Sequence, residues 1–193
     1  MGKETEQKQE IVNQGVHTYS QEEAYVWPEE PVLREQLEWF QDQKLALMVH
    51  WGVYNQLGMV ASWALSDEDA EWSRKTMDWT DDGEVFKRQY RALNRAFDPV
   101  AFQPEEWAKM AKKCGFRYLI LTTKHHDGFC LWDTAYTEYK TTAEECPFHT
   151  PKYADIVRAM FDAFRKEGLG IGAYFSKADW HCPDYWEKEK VFT

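Results

Sequence analysis

Tyr118-Leu119-Ile120-Leu121-Thr122-Thr123-Lys124-His125-His126-Asp127-Gly128-Phe129 decides the reading of this chain. Its first six residues are apolar or β-branched, too short for a helix, and read as a strand buried on both faces. Asp127-Gly128 then supplies turn chemistry, so two adjacent imidazoles stand where the strand stops. In parallel α/β folds, sites are built at the carboxyl ends of strands. Successive side chains alternate across a strand, so His125 and His126 can share one rim only if the turn brings one of them back.

Two similar runs flank this one. Upstream, Leu33, Leu37, Trp39 and Phe40 recur at roughly helical spacing before Lys44-Leu45-Ala46-Leu47-Met48-Val49-His50-Trp51-Gly52, which reads as the first strand. From Val53 to about Phe102 the connection is rich in Trp, Tyr and acids, a length that predicts short helices of its own. Pro104-Glu105-Glu106 opens a helix with proline in its first turn and acids near the positive dipole end, placing Trp107, Met110, Ala111 and Cys114 on one face up to Gly115. Downstream, Thr150-Pro151 starts a helix through Tyr153, Ile156, Val157, Met160, Phe161 and Phe164 to Gly168, and Gly170-Ile171-Gly172-Ala173-Tyr174-Phe175-Ser176 is the third strand. Alternating strands and helices predict an α/β fold of parallel strands joined by right-handed crossovers. That topology carries His50, His125, His126 and Tyr174 to one rim of one sheet.

Composition bounds the rest. The 193 residues are enough for one core but fewer than the about 250 of a complete (β/α)8 barrel. A chain 44% hydrophobic and 16% aromatic, with Trp 10, folds and offers flat apolar surfaces for a core or for carbohydrate. A net charge of -10 without a Lys/Arg stripe argues against a nucleic-acid partner. No apolar run approaches the roughly 20 residues that span a bilayer, so no membrane partner is expected. Residues 1–30 read as a polar, loosely ordered lead-in with order beginning near Pro31. The polar start is not a signal peptide, which predicts a cytoplasmic protein, with export following only if the start is processed. Cys114, Cys130, Cys146 and Cys182 form no C-x-x-C pair and are expected as free thiols.

Taken in order, His50-Trp51-Gly52, Glu71-Trp72, Phe97-Asp98-Pro99 ahead of Trp107, Lys124 to Trp132, and Tyr174-Phe175-Ser176 ahead of Asp179-Trp180 resemble the amino-terminal part of the retaining α-L-fucosidases of glycoside hydrolase family 29. The resemblance covers about residues 31 to 186. It implies a partial (β/α)8 TIM barrel, about the first three strand-helix units, in an incomplete catalytic domain over 31–193. It implies a fucosylated oligosaccharide or glycoconjugate as substrate and the remainder of the barrel as partner. Carried over position by position, His50, Glu71, Trp72, His125, His126 and Tyr174 are the fucose-binding residues. Trp51, Trp63 and Trp72 are the candidates for a sugar platform, whereas Trp107 and Trp132 read as core. The chain departs from the family pattern at Ser73 and Phe175, which bears on substrate preference.

Retaining glycosidases use two carboxyl groups about 5 Å apart and need no cofactor. In the resembled family both come later than the Tyr174 strand, so nucleophile and acid/base are expected beyond Thr193, and none is assigned here. Asp127, before a glycine, reads as a turn residue, and Asp179 is not the position the family uses. Three other readings stand beside this one. The histidines could be surface turn residues; His50, His125, His126 and Asp127 could bind a metal in a metal-dependent barrel hydrolase; or the barrel could be a non-catalytic fucose-binding module.

Overall fold

The computed structural model describes residues 26–66, 71–74, 79–182 and 185. Two compact units divide at Asp42/Gln43. In the first, helix α1 (Pro31–Gln43) begins at its proline, and the Glu30 carboxylate accepts from the backbone N–H groups of Val32 and Leu33 at 3.1 and 2.6 Å. The expected lead-in lies largely outside the described residues.

The second unit holds three parallel strands in the order β1 (Ala46–Val49), β2 (Tyr118–Lys124), β3 (Gly170–Phe175). Ala46 pairs with Tyr118, and Tyr118 in turn with Gly170, so the three strands start level. β1 is shorter than its apolar run because the chain leaves the ladder at His50. Between β1 and β2 lie 3-10 turns at Val53–Leu57, Trp63–Leu65 and Ala92–Ala96, and two short helices, α2 (Glu71–Arg74) and α3 (Gly83–Arg91). Asp82 starts α3 by accepting from the N–H groups of Glu84 and Val85.

Helix α4 (Pro104–Lys113) forms where its proline and acids predict, and of the expected face Trp107 and Ala111 meet the core while Met110 and Cys114 do not. Pro104, Ala108 and Ala111 are buried, while Met110 is 60% exposed and Cys114 is exposed. Alanines allow the backbone of α4 close to its neighbour, helix α5 (Ile156–Lys166), so small residues rather than large ones mark the contact.

α5 begins five residues later than the periodicity suggests. Pro151 to Asp155 form turns, and Asp155 caps the helix by accepting from the N–H of Arg158 at 2.9 Å. Tyr153 therefore sits outside the helix and donates its hydroxyl to Glu105 at 2.8 Å, tying the entry of α5 to α4. Ile156, Met160, Ala163 and Phe164 bury against a core that also contains Leu119, Leu121, Phe86, Phe97 and Phe129. All four cysteines are free.

Asp155→Ala removes the cap while leaving the buried face of α5 intact. It should lower the unfolding free energy by about 1 kcal/mol in urea titration, with an unchanged m-value.

Candidate functional site

β2 changes character at its last residues. Thr122 is opposite Tyr174 and Lys124 opposite Phe175, so Thr123 is one residue too many, a β-bulge at the end of the strand. Its hydroxyl donates to the Tyr174 carbonyl at 3.0 Å. Beyond Lys124 the chain turns, with the Gly128 N–H donating to the His125 carbonyl at 3.2 Å. Bulge and turn together break the alternation that would send His125 and His126 to opposite faces. Their ring centroids lie 4.4 Å apart.

Around this pair the strand ends converge. His50, just past β1, lies 5.2 Å from His125 and 5.5 Å from Tyr174, and the His125 and Tyr174 rings are 6.1 Å apart and nearly parallel. Trp63 meets His126 edge-on at 5.0 Å, and Trp180 stacks on His126 at 4.7 Å. Exposure grades across the group. His125 is 3% exposed, His126 and Tyr174 are half-buried, and His50 is exposed.

The other candidates fall differently. Trp51 packs into a core cluster with Phe97, Phe102 and Trp107, at 6.1, 5.0 and 5.4 Å. Trp72 stands 57% exposed on α2, and the side chain of its neighbour Glu71 lies outside the described residues. Trp63 is thus the platform candidate that the fold brings to the imidazoles.

Each imidazole of the pair has a serine partner. Ser62 Oγ is hydrogen-bonded to His125 Nδ1, and Ser176 Oγ to His126 Nδ1 at 2.5 Å. Ser176 Oγ also donates to the Ala178 carbonyl at 3.2 Å. Both contacts hold at once only when Nδ1–H of His126 donates to Ser176, which leaves its Nε2 as an acceptor. Burial lowers the pKa of all three histidines. For His125, burial first, and then the cost of placing a second positive charge beside a protonated His126 or His50 or beside Lys124, bring it down to about 3. The site is a set of neutral imidazoles.

Beneath it, Asp127 is fully buried. It accepts from the Tyr90 hydroxyl at 2.8 Å and from the Phe129 N–H at 3.0 Å. Burial raises its pKa to about 6 against the pull of those hydrogen bonds and Lys124. Lys124, 4% exposed, donates to the Ala178 carbonyl at 3.0 Å and lies 3.6 Å from Asp179, clamping the segment after β3 onto the end of β2. Asp179 in turn accepts from the N–H groups of His181 and Cys182.

Among the described residues no three His, Cys, Asp or Glu side chains are grouped to hold a metal ion. In the His125–His126–Asp127 group each Nδ1 of the pair faces a serine, and Asp127 serves Tyr90 and Phe129. Sequence reasoning missed Ser62 and Tyr90, and it quoted Lys124 and Trp180 only as motif residues, without the roles the fold gives them. Ser62 and Tyr90 lie 63 and 37 residues from their partners, and no local pattern announces such pairs.

An Alpha-L-fucosidase family model matches residues 12–192. Rat (Rattus norvegicus) tissue alpha-L-fucosidase is 30% identical over 147 residues, 76% of this chain and 31% of that protein. Alpha-L-fucosidase isoenzyme 1 from Paenibacillus thiaminolyticus is 36% identical with a TM-score of 0.62, over 78% of this chain and 31% of that one. A GH29 alpha-L-fucosidase from Bacteroides thetaiotaomicron, solved as a trapped covalent intermediate with 2-fluoro-fucosyl fluoride, is 31% identical with a TM-score of 0.64, over 87% and 36%. The chain spans about a third of the length of these relatives.

Two outcomes follow from the turn and its charges. At Gly128 φ is +81°, and a Cβ would lie 2.6 Å from Asp179 Oδ1 and 2.8 Å from His181 Cβ. Gly128→Ala should therefore cost about 2 kcal/mol or more in denaturant unfolding. His125, neutral in the fold, makes stability fall as pH drops below its unfolded pKa, because only the unfolded chain takes up the proton there. Asp127 acts oppositely. Its raised pKa gives stability that is present below the unfolded value and lost as pH rises through about 6. In urea titrations between about pH 7 and pH 5, His125→Gln should flatten the acid-side loss and Asp127→Asn should steepen it. Equal slopes in all three proteins would refute the assignment.

Proposed function

The chain belongs to the α-L-fucosidases of glycoside hydrolase family 29, and we propose that it forms the fucose-binding part of a retaining hydrolase of terminal α-L-fucosyl linkages. The observation that carries this reading is the convergence of His50, His125, His126 and Tyr174 at the ends of three adjacent parallel strands, where desolvation favours the neutral form of each imidazole. A neutral imidazole donates through one nitrogen and accepts through the other, which suits vicinal sugar hydroxyls whose partners must differ. Charged imidazoles would offer donors only. Trp63 and Trp180 supply apolar surface beside them for a deoxysugar's methyl group and ring face.

In this reading the sheet is the first three strands of a (β/α)8 barrel, and Glu71 and Trp72 join the pocket from α2. The bond-breaking step needs a nucleophilic carboxylate and a carboxylic acid about 5 Å apart. Neither Asp127, held by Tyr90 and the Phe129 N–H, nor Asp179, held by Lys124 and two backbone N–H groups, is disposed to attack a sugar carbon. As the family resemblance implies, both reacting groups are assigned to strands of the barrel later than β3. The trapped covalent intermediate of the Bacteroides thetaiotaomicron relative supports the double displacement, in which a carboxylate takes the fucosyl group and water then releases it with retained configuration. The same commitment of Asp127 and Asp179 favours, as a second reading, a fucose-binding barrel module without chemistry.

L-Fucose titrated calorimetrically into the 193-residue chain should bind, and His126→Phe and Tyr174→Phe should each weaken binding by about tenfold, one hydrogen bond's worth. Affinity unchanged in both variants would refute the site. The same chain should release no nitrophenol from an aryl α-L-fucoside, and clear release would overturn the assignment of the reacting carboxyl groups.

A further inference from the structure

The proton of the His126 ring is placed by a chain of contacts that begins at the buried lysine. Lys124 donates to the Ala178 carbonyl at 3.0 Å and so fixes the direction of that carbonyl. Ser176, 4% exposed, is anchored through its own backbone, its N–H donating to the Lys124 carbonyl at 3.0 Å. Its hydroxyl oxygen stands between two neighbours, 3.2 Å from the Ala178 carbonyl and within hydrogen-bond reach of His126 Nδ1. A carbonyl only accepts, and a serine hydroxyl has one proton to give. With that proton on the Ala178 carbonyl, Nδ1 keeps its own and donates it to Ser176. With the hydroxyl turned toward Nδ1 instead, two oxygens would face each other at 3.2 Å with no proton between them.

The ring is held in its plane as well. Trp180 stacks on it at 4.7 Å, Trp63 meets it edge-on at 5.0 Å, and the Trp180 N–H donates to the His126 carbonyl at 2.6 Å. Within that plane only the observed setting gives Ser176 a nitrogen rather than a ring carbon. The other nitrogen, Nε2, has no hydrogen-bond partner among the described residues and is not fully buried, so its lone pair is reachable by solvent. His125 differs. The hydroxyl of its serine, Ser62, has no second partner among the described residues, so that contact fits either tautomer. Of the pair, His126 is the ring whose proton the fold assigns.

We propose that Ser176 is a positioning residue that sets specificity: by holding the His126 proton on Nδ1 it makes Nε2 an acceptor only, which a sugar hydroxyl meets by donating. A fluorine or an ether oxygen at the same place on the sugar sets lone pair against lone pair and is rejected. That the donating hydroxyl belongs to fucose rests on the fucosidase reading. The tautomer itself rests on Lys124, Ala178 and Ser176 alone.

Two measurements on the 193-residue chain test this. In long-range proton–nitrogen correlation spectra of isotope-labelled histidine at about pH 7, the ring signals that vanish in His126→Gln should show a protonated Nδ1 and a bare Nε2. Ser176→Ala should move that proton wholly or partly to Nε2, and Ser176→Thr should keep it on Nδ1. In calorimetric titrations with L-fucose and its monodeoxyfluoro analogues, each lacking one ring hydroxyl, at least one analogue should bind about tenfold or more weakly than L-fucose. That difference should shrink in Ser176→Ala and persist in Ser176→Thr. A proton on Nε2 in the unaltered chain would overturn the tautomer and the proposal with it. Analogues that all match L-fucose, or discrimination as strong in Ser176→Ala, would overturn the specificity role. L-Fucose failing to bind while the Ser176 variants shift the proton as expected would strike the fucosidase reading and uphold the control of His126 by Ser176.

Discussion

Two imidazoles on consecutive residues have to face the same rim, and the structure around the carboxyl end of β2 serves that constraint. A regular strand would separate them. The extra residue at Thr123, the left-handed Gly128 and the buried Asp127 carboxylate, which ties the turn to Tyr90 on α3, together hold the chain out of regular geometry. Lys124 adds a buried cation, which is tolerable only because carbonyls, Asp179 and the Phe175 ring surround it. Its partners are on the segment after β3, so the charge that ends β2 also positions Trp180 over His126.

Burial then sets the chemistry. His125 lies at the base of the group among other positive or potentially positive residues, and both effects favour its neutral form. Serines on two different elements bind the Nδ1 atoms of the pair and orient the rings. A mobile or protonated pair would recognise hydroxyls poorly. A buried, serine-held pair presents fixed donors and acceptors, which is the general requirement for distinguishing one sugar from its epimers.

Much of this architecture was legible along the chain. The three apolar runs became the three parallel strands because short β-branched stretches between helical periods have few alternatives. The placement of His50, His125, His126 and Tyr174 at one rim follows from that topology. Helix faces and starts were less legible. Met110 and Ala111 both fit the α4 period, and only the close approach of α5 selects the alanines. Thr150-Pro151 resembles a helix start as well as Asp155 does, but the Tyr153–Glu105 hydrogen bond holds the preceding residues in turns. Trp51 and Trp63 are equivalent as sequence, each an aromatic in the stretch after β1. One packs into the core and the other beside the imidazoles.

By itself, the sequence determined the alternation of strand and helix, the strand ends at which the histidines and Tyr174 emerge, and the turn at Asp127-Gly128, because each is a matter of local period and backbone preference. Tertiary structure alone decided which serine holds which imidazole, and that Asp127 is a buried anchor for Tyr90. The reason is physical. Hydrogen bonds and desolvation depend on which distant segments meet, and partners 37, 50 or 63 residues apart leave no periodic trace along the chain.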